Sequence, residues 1–255
     1  MTPLLEARDF SLTIDGRPIL KNLSFAVPAG ARLSIMGPNG AGKSTLIKCF
    51  LRLREGAKTT GEILLNGQSL RVYPRQELAR LIGYAPQAGG WIPPYTIREL
   101  ALLSRYPYPD RSRDQAALTR ALELTGLEEL ANRPLANLSG GERQKAYLAA
   151  ALAQETPILA LDEPTSFLDP RHASELDNLL KDLNLNQKLT IITVTHDLGQ
   201  PALTGGLALV LRQGTLRYFG EADRLYQDRI LEEAFDHPFV YLTHPKDGRV
   251  VVLSQ

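Results

Sequence analysis

Eight residues constrain this chain more than any others. Gly37-Pro38-Asn39-Gly40-Ala41-Gly42-Lys43-Ser44 follow the short apolar run Arg32–Met36 and precede a helical spacing of apolar residues at Leu46, Ile47, Phe50, Leu51 and Leu53. A strand, a glycine-rich turn and a helix in that order make a phosphate-binding loop. Glycines let the backbone curl, so successive N–H groups face inward on an anion. The helix that opens near Lys43 adds the positive end of its dipole. The Lys43 ammonium can reach β- and γ-phosphates, the Ser44 hydroxyl suits Mg²⁺, and Thr45 continues the same first turn. The expected ligand is a nucleoside triphosphate with Mg²⁺.

Around this loop the pattern alternates strands and helices. Pro157–Leu161 and Thr190–Val194 read as buried strands of a parallel sheet, and Asp114–Thr125 and Arg171–Leu183 read as helices. The N-terminal stretch differs. Leu4–Ile14, Pro18–Val27 and Glu62–Leu65 read as short strands joined by Asp15-Gly16 and Asn66-Gly67 turns, an antiparallel layer on the parallel sheet. A further hairpin is expected where Leu207–Arg212 and Thr215–Phe219 flank Gln213-Gly214. Proline and glycine break the pattern at Gly89–Pro94 and Tyr106–Asp110, and the rest of 88–150 reads mostly as helix. The expected class is α/β, with a nucleotide-binding core from 1–87 and 151–255 and an inserted helical subdomain at 88–150.

Composition narrows the function. At 255 residues one or two domains are expected. Lys and Arg number 29 against 28 Asp and Glu, a net charge of +1, which argues against a protein that coats nucleic acid. Cys49 is the only cysteine, so no intrachain disulfide is available. The first ten residues lack the basic cluster and apolar core of a signal peptide. The longest apolar run, Tyr147–Ala153, falls well short of the roughly 18 residues a membrane helix needs.

Two adjacent carboxylates, Asp162 and Glu163, close the apolar run Ile158-Leu159-Ala160-Leu161. Ligands of open α/β sheets bind at the carboxyl ends of the strands. Asp162 is placed to hold Mg²⁺, and Glu163 to orient or deprotonate an attacking water. Adjacent acids at a strand end can also be a solvated turn; the phosphate loop in the same chain favours the catalytic reading.

The sequence Asn137-Leu138-Ser139-Gly140-Gly141-Glu142-Arg143-Gln144 resembles the signature motif of the ABC transporter ATPases. Other motifs of that family follow in order. Gln87 in Tyr84-Ala85-Pro86-Gln87 is similar to the Q-loop, Ser166-Phe167-Leu168-Asp169 to the D-loop with Phe167 where a small residue is usual, and His196 in Thr195-His196-Asp197 to the switch histidine. The resemblance spans about residues 4 to 225. It implies a P-loop ATPase in which Gln87 reaches the metal and the attacking water and His196 senses the γ-phosphate. It also implies that two cassettes close head to tail over two ATP molecules. Ser139, Gly140 and Gly141 of one chain then face the phosphate held by the other. Asp169 crosses that interface, caps the following helix, or does both. The family's adenine-stacking aromatic falls at Ile14, which offers no π-face.

The resemblance further implies a separate membrane permease. Trp91-Ile92-Pro93-Pro94-Tyr95 lies just after Gln87, where the family docks a permease helix; packing inside the subdomain is the other use of these residues. A single cassette without membrane spans is similar to an importer subunit at the cytoplasmic face of the membrane, with a separate substrate-binding protein. Gln76–Gln87, Ser104-Arg105-Tyr106-Pro107-Tyr108 and His244-Pro245-Lys246-Asp247-Gly248-Arg249-Val250-Val251-Val252 resemble the importers of iron-siderophores, haem and cobalamin. An exporter subunit and a soluble ATPase of the iron–sulfur assembly type are the alternatives.

Overall fold

A computed structural model describes residues 3–53, 56–227, 229–244 and 250–254. In chain order it contains β1 (Leu5–Ile14), β2 (Arg17–Val27), β3 (Arg32–Met36), α1 (Lys43–Phe50), β4 (Lys58–Leu65), β5 (Gln68–Ser69), α2 (Arg75–Ala79), β6 (Ile82–Ala85), α3 (Ile97–Ser104), α4 (Asp114–Thr125) and α5 (Gly140–Ala153). There follow β7 (Ile158–Asp162), α6 (Pro170–Gln187), β8 (Thr190–Val194), α7 (Gln200–Thr204), β9 (Leu207–Arg212), β10 (Thr215–Glu221), α8 (Ile230–Phe235), β11 (Phe239–Thr243) and β12 (Val250–Ser254). They group into two compact units, Met1–Tyr73 with Ile192–Gln255, and Pro74–Ile191.

The first unit opens with an antiparallel sheet in the order β2-β1-β4-β5. Its turns, Asp15-Gly16 and Asn66-Gly67, carry positive φ at both residues, the geometry that matches strand twist in a tight hairpin. β2 buries Leu23, Phe25 and Val27 by alternation, and an irregularity at Asn22, φ 49, brings in Leu20 as well. β3 is buried along its whole length, as a strand covered on both faces must be, and pairs in parallel with β9. The expected hairpin at Gln213-Gly214 joins β9 to β10. A core of Met36, Val210, Leu225 and Leu231 is flanked by Phe239, Tyr241, Val250 and Val252 of the β11–β12 hairpin. That hairpin was not expected; residues 245–249 of the stretch 244–252 lie outside the described residues.

In the second unit β6 pairs in parallel with β7, Ile82 opposite Ile158 and Ala85 opposite Leu161. A Thr96–Glu99 capping box starts α3, Gly126 in the left-handed region ends α4, and Asp169 with Pro170 starts α6. Helices α3, α4 and α5 bury Ile97, Ala101, Leu118, Leu122, Ala146 and Ala149 among themselves. α5 also presents Leu148 and Ala151 to Ala85, Leu159 and Leu161 of the strands, a core completed by Leu176 and Leu180 of α6. Buried on two sides, α5 ties the helices to β6 and β7. This compact unit begins at Pro74 and takes in β7 and α6.

Arg105 locks this unit. Its guanidinium, 2% exposed, donates to Asp114 at 3.0 Å, to Glu155 at 2.9 Å and to the Ala153 carbonyl at 3.1 Å. It also lies 4.1 Å from the centre of the Tyr108 ring. Removing one partner of a buried ionic network costs about 3–5 kcal/mol, because the others remain buried without it. Arg105→Ala is expected to lower the unfolding free energy by about that amount, read as a lower urea midpoint at unchanged slope. A midpoint within error of the wild type would show the network to be dispensable.

Candidate active site

The phosphate loop lies in the first unit. Gly37 has φ 140, and a Cβ there would stand 2.1 Å from the Leu211 carbonyl oxygen, so only glycine lets the loop pass β9. The loop is also pinned where the Gly214 N–H donates to the Ala41 carbonyl at 3.1 Å. Gly42, in the left-handed region, caps α1 without a side-chain bond, and no acidic residue occupies the first turn. The helix thus keeps its positive end for an anion. Lys43 is 6% exposed and folds over the loop, its ammonium donating to the carbonyls of Gly37 at 2.7 Å and Pro38 at 3.1 Å. A groove of about 260 Å³ runs along Pro38, Asn39, Gly40 and Ala41 opposite Arg212, Gln213 and Phe235.

Ser44 and Thr45 follow Lys43 in the first turn of α1. In the same unit the Thr195 N–H donates to the carbonyl of Ile35, two residues before Gly37, at 3.1 Å. His196 is the next residue and is exposed, and the Thr195 hydroxyl accepts the Asp197 N–H at 3.0 Å. Ile14 closes β1, opposite Arg17 across the turn.

The carboxylates lie in the second unit. Asp162 ends β7 and is 5% exposed, with the Tyr84 hydroxyl 3.4 Å from its Oδ2. Glu163 follows with φ 50, a left-handed conformation that costs a residue with a side chain about 1–3 kcal/mol. Such strain persists only where the surroundings fix it, and here two donors do. The Gln87 amide donates to Glu163 Oε2 at 2.6 Å, and the Ser166 hydroxyl donates to the same oxygen at 3.0 Å. The strained backbone therefore aims one carboxylate oxygen at two named donors.

The signature segment opens α5 in the same unit. Ser139 accepts the Glu142 N–H at 3.2 Å while Glu142 accepts the Ser139 N–H at 2.8 Å. That N–H holds the Glu142 carboxyl below its ordinary pKa. A Cβ on Gly140 would meet the Phe167 side chain at 3.3 Å, and one on Gly141 the Phe167 carbonyl oxygen at 3.1 Å. The two glycines let the segment 166–169 lie against the start of the helix. Asp169 caps α6, accepting the His172 N–H at 3.0 Å with the His172 ring 2.7 Å from its other oxygen. The backbone N–H lowers its pKa.

The sequence reading gave no role to three contributors: Tyr84, Ser166 and Gln144. Gln144 is 1% exposed, and its amide bonds the peptides on both sides of Gln87. Its spacing with Leu148 and Ala151, four and seven residues on, was the signal available. Downstream of Gln87, Trp91 is 80% exposed and Tyr95 and Tyr106 are also exposed, whereas Ile92 packs on the core of α3, α4 and α5. No helix among the described residues is long and apolar enough to cross a membrane.

Comparison with known proteins accounts for this combination of motifs. Residues 20–166 match the ABC transporter family model. The ferric enterobactin transport ATP-binding protein of Escherichia coli (strain K12) is 35% identical over 240 residues, covering 92% of this chain and 88% of its own. The iron(3+)-hydroxamate import ATP-binding protein of Bacillus subtilis (strain 168) is 33% identical over 255 residues, covering 98% and 94%. Among solved structures, a metal-chelate type ABC transporter in an inward-facing conformation superposes with a TM-score of 0.82 at 26% identity, covering 99% of this chain and 97% of its own. Matched by the family model over residues 20–166 and by relatives more than 30% identical across nearly its whole length, the chain belongs to the ABC transporter family.

Proposed function

We propose that this chain is the ATP-hydrolysing subunit of an ABC importer for a metal chelate of the iron-siderophore, haem or cobalamin class. ATP is its nucleotide. Lys43 and the loop 37–45, through its backbone N–H groups on every residue but Pro38, hold the phosphates, and Glu163 takes the proton of the attacking water as Gln87 orients it. His196 senses the γ-phosphate. Ile14 lies against the base without stacking. Mg²⁺ is held through few protein ligands together with phosphates and water, and Ser44, Asp162 and Gln87 offer the oxygens such a hard ion requires. Bound there, it neutralises charge on the phosphates.

Ser139, Gly140, Gly141 and Asp169 complete the site of a partner cassette, so two chains close over two ATP molecules. Residues 88–150 form the signature-bearing subdomain of a core built from 1–87 and 151–255. Trp91–Tyr95 receives a helix of the permease, which holds the subunit at the cytoplasmic face of the membrane and takes cargo from a separate binding protein. The observation that carries this reading is a single loop: Gln87 touches Glu163 at 2.6 Å, and four residues on an indole stands 80% exposed. A loop that contacts the hydrolytic carboxylate at one end and a partner at the other couples ATP cleavage to movement.

Co-expression with a neighbouring permease tests it. The wild type is expected to purify in that complex. Trp91→Ala is expected to weaken the complex by about tenfold or more, the loss typical of an aromatic anchor, while fluorescent-ATP affinity stays the same. Loss of ATP affinity with the complex intact would refute the docking role; soluble partners alone would favour the assembly-ATPase alternative.

A further inference from the structure

We infer that Gln144 is a positioning residue for hydrolysis, clamping both peptides beside Gln87 so that the signature helix sets where the Gln87 amide meets Glu163. This rests on the catalytic roles proposed above for Gln87 and Glu163. Gln144 Oε1 accepts the Ala88 N–H at 2.8 Å, and Nε2 donates to the Pro86 carbonyl at 3.2 Å. Pro86 and Ala88 are the immediate neighbours of Gln87, so the backbone cannot slide past α5 without breaking one of these bonds. With 1% of its surface exposed, Gln144 has no water to replace them.

The same helix carries the signature residues at its start, Ser139 capping it and Gly140 opening it. Gln144 lies four residues after Gly140, about 6 Å along the axis at 1.5 Å per residue. A helix is stiff over one turn. Displacement of its N-terminal end is delivered through the Gln144 amide to residues 86 and 88, and from there to the 2.6 Å contact between Gln87 and Glu163. One polar side chain thus links the segment that faces a partner cassette to the carboxylate that activates water. A leucine would fill the same space without either bond, so what the glutamine adds is the pair of hydrogen bonds that fixes residues 86 and 88 to the helix.

The experiment compares ATPase kinetics of the permease-bound wild type with Gln144→Leu, Gln87→Ala, the double variant and Glu163→Gln. Misplacing a catalytic group by about 1 Å can cost about 10²-fold, so Gln144→Leu is expected to lower kcat by about 10- to 100-fold. KM for ATP should stay within about twofold, since phosphate binding is untouched. In the Gln87→Ala background the same substitution is expected to lower kcat no further, because the group it positions is gone. Gln144→Glu keeps the acceptor for Ala88 and loses the donor to Pro86. It should show the same split of kcat from KM, and it carries the test if the leucine variant fails to fold. Multiplying losses in the double variant, or a rise in KM with kcat unchanged, would overturn the inference. A Glu163→Gln variant that still turns over would instead overturn the catalytic reading on which it rests.

Discussion

Replacing Glu163 with glutamine abolishes steady-state hydrolysis and leaves ATP bound. The substitution keeps the side chain's shape. Its amide oxygen can still accept from Gln87 and Ser166, which now donate at 2.6 and 3.0 Å, and the left-handed backbone at φ 50 is unaffected. What disappears is the carboxylate proposed above as the proton acceptor. General-base assistance contributes about 10²–10⁴-fold, so kcat should fall by at least the lower figure, with the affinity for nucleotide preserved. A second consequence follows from the closure of two cassettes over ATP. If the triphosphate holds the interface, a chain that binds but cannot cleave it accumulates as a closed dimer. Size-exclusion chromatography in saturating MgATP should shift Glu163→Gln to the dimer while the wild type cycles back to monomer. Turnover at the wild-type rate would remove Glu163 from the base role.

Much of this architecture was legible in the sequence because the strongest signals are local. The runs Arg32–Met36 and Thr190–Val194 coincide with β3 and β8, and Asp114–Thr125 coincides with α4. Buried parallel strands are apolar throughout, and α4 carries a helical apolar period ended by Gly126, so a window of a few residues suffices. Helix α1 opens at Lys43, as expected, but ends at Phe50 although its apolar spacing continues to Leu53. β4 reaches back to Lys58 through a polar stretch, held by pairing with β1 and not by its own pattern. The harder failures are long-range. Gln144 reads as one polar residue in a charged helix start, and only the arrival of residues 86 and 88 buries it. Ser166, by contrast, is missed locally: it donates to Glu163 three residues back through a turn that its residue pattern does not specify. The two-sided packing of α5, small at Ala146, Ala149 and Ala151, comes from elements distant in the chain.

Lys43→Ala separates binding from chemistry in the opposite direction. The lysine is the only side-chain cation of the phosphate loop, and it is held ready over the loop by the carbonyls of Gly37 at 2.7 Å and Pro38 at 3.1 Å. Those carbonyls are weak competitors for an ammonium once a triphosphate arrives. Hydrogen bonds to charged groups contribute about 1.5–3 kcal/mol each, so losing two to phosphate oxygens costs at least about 3 kcal/mol, or about 10²-fold in Kd. The backbone N–H cradle and the helix dipole remain, which is why residual weak binding is expected. Arginine should not rescue, because a planar guanidinium cannot replace the compact ammonium of a residue that is 6% exposed. The fold should survive, since alanine is the strongest helix former at this helix start, and circular dichroism of the two chains should coincide. Titration of a fluorescent ATP analogue should therefore show weakened binding, and size exclusion in MgATP should find no closed dimer even when Glu163→Gln is present in the same chain. That double variant decides the order of events: a dimer still formed by it would mean that something other than the loop-bound triphosphate joins the two cassettes.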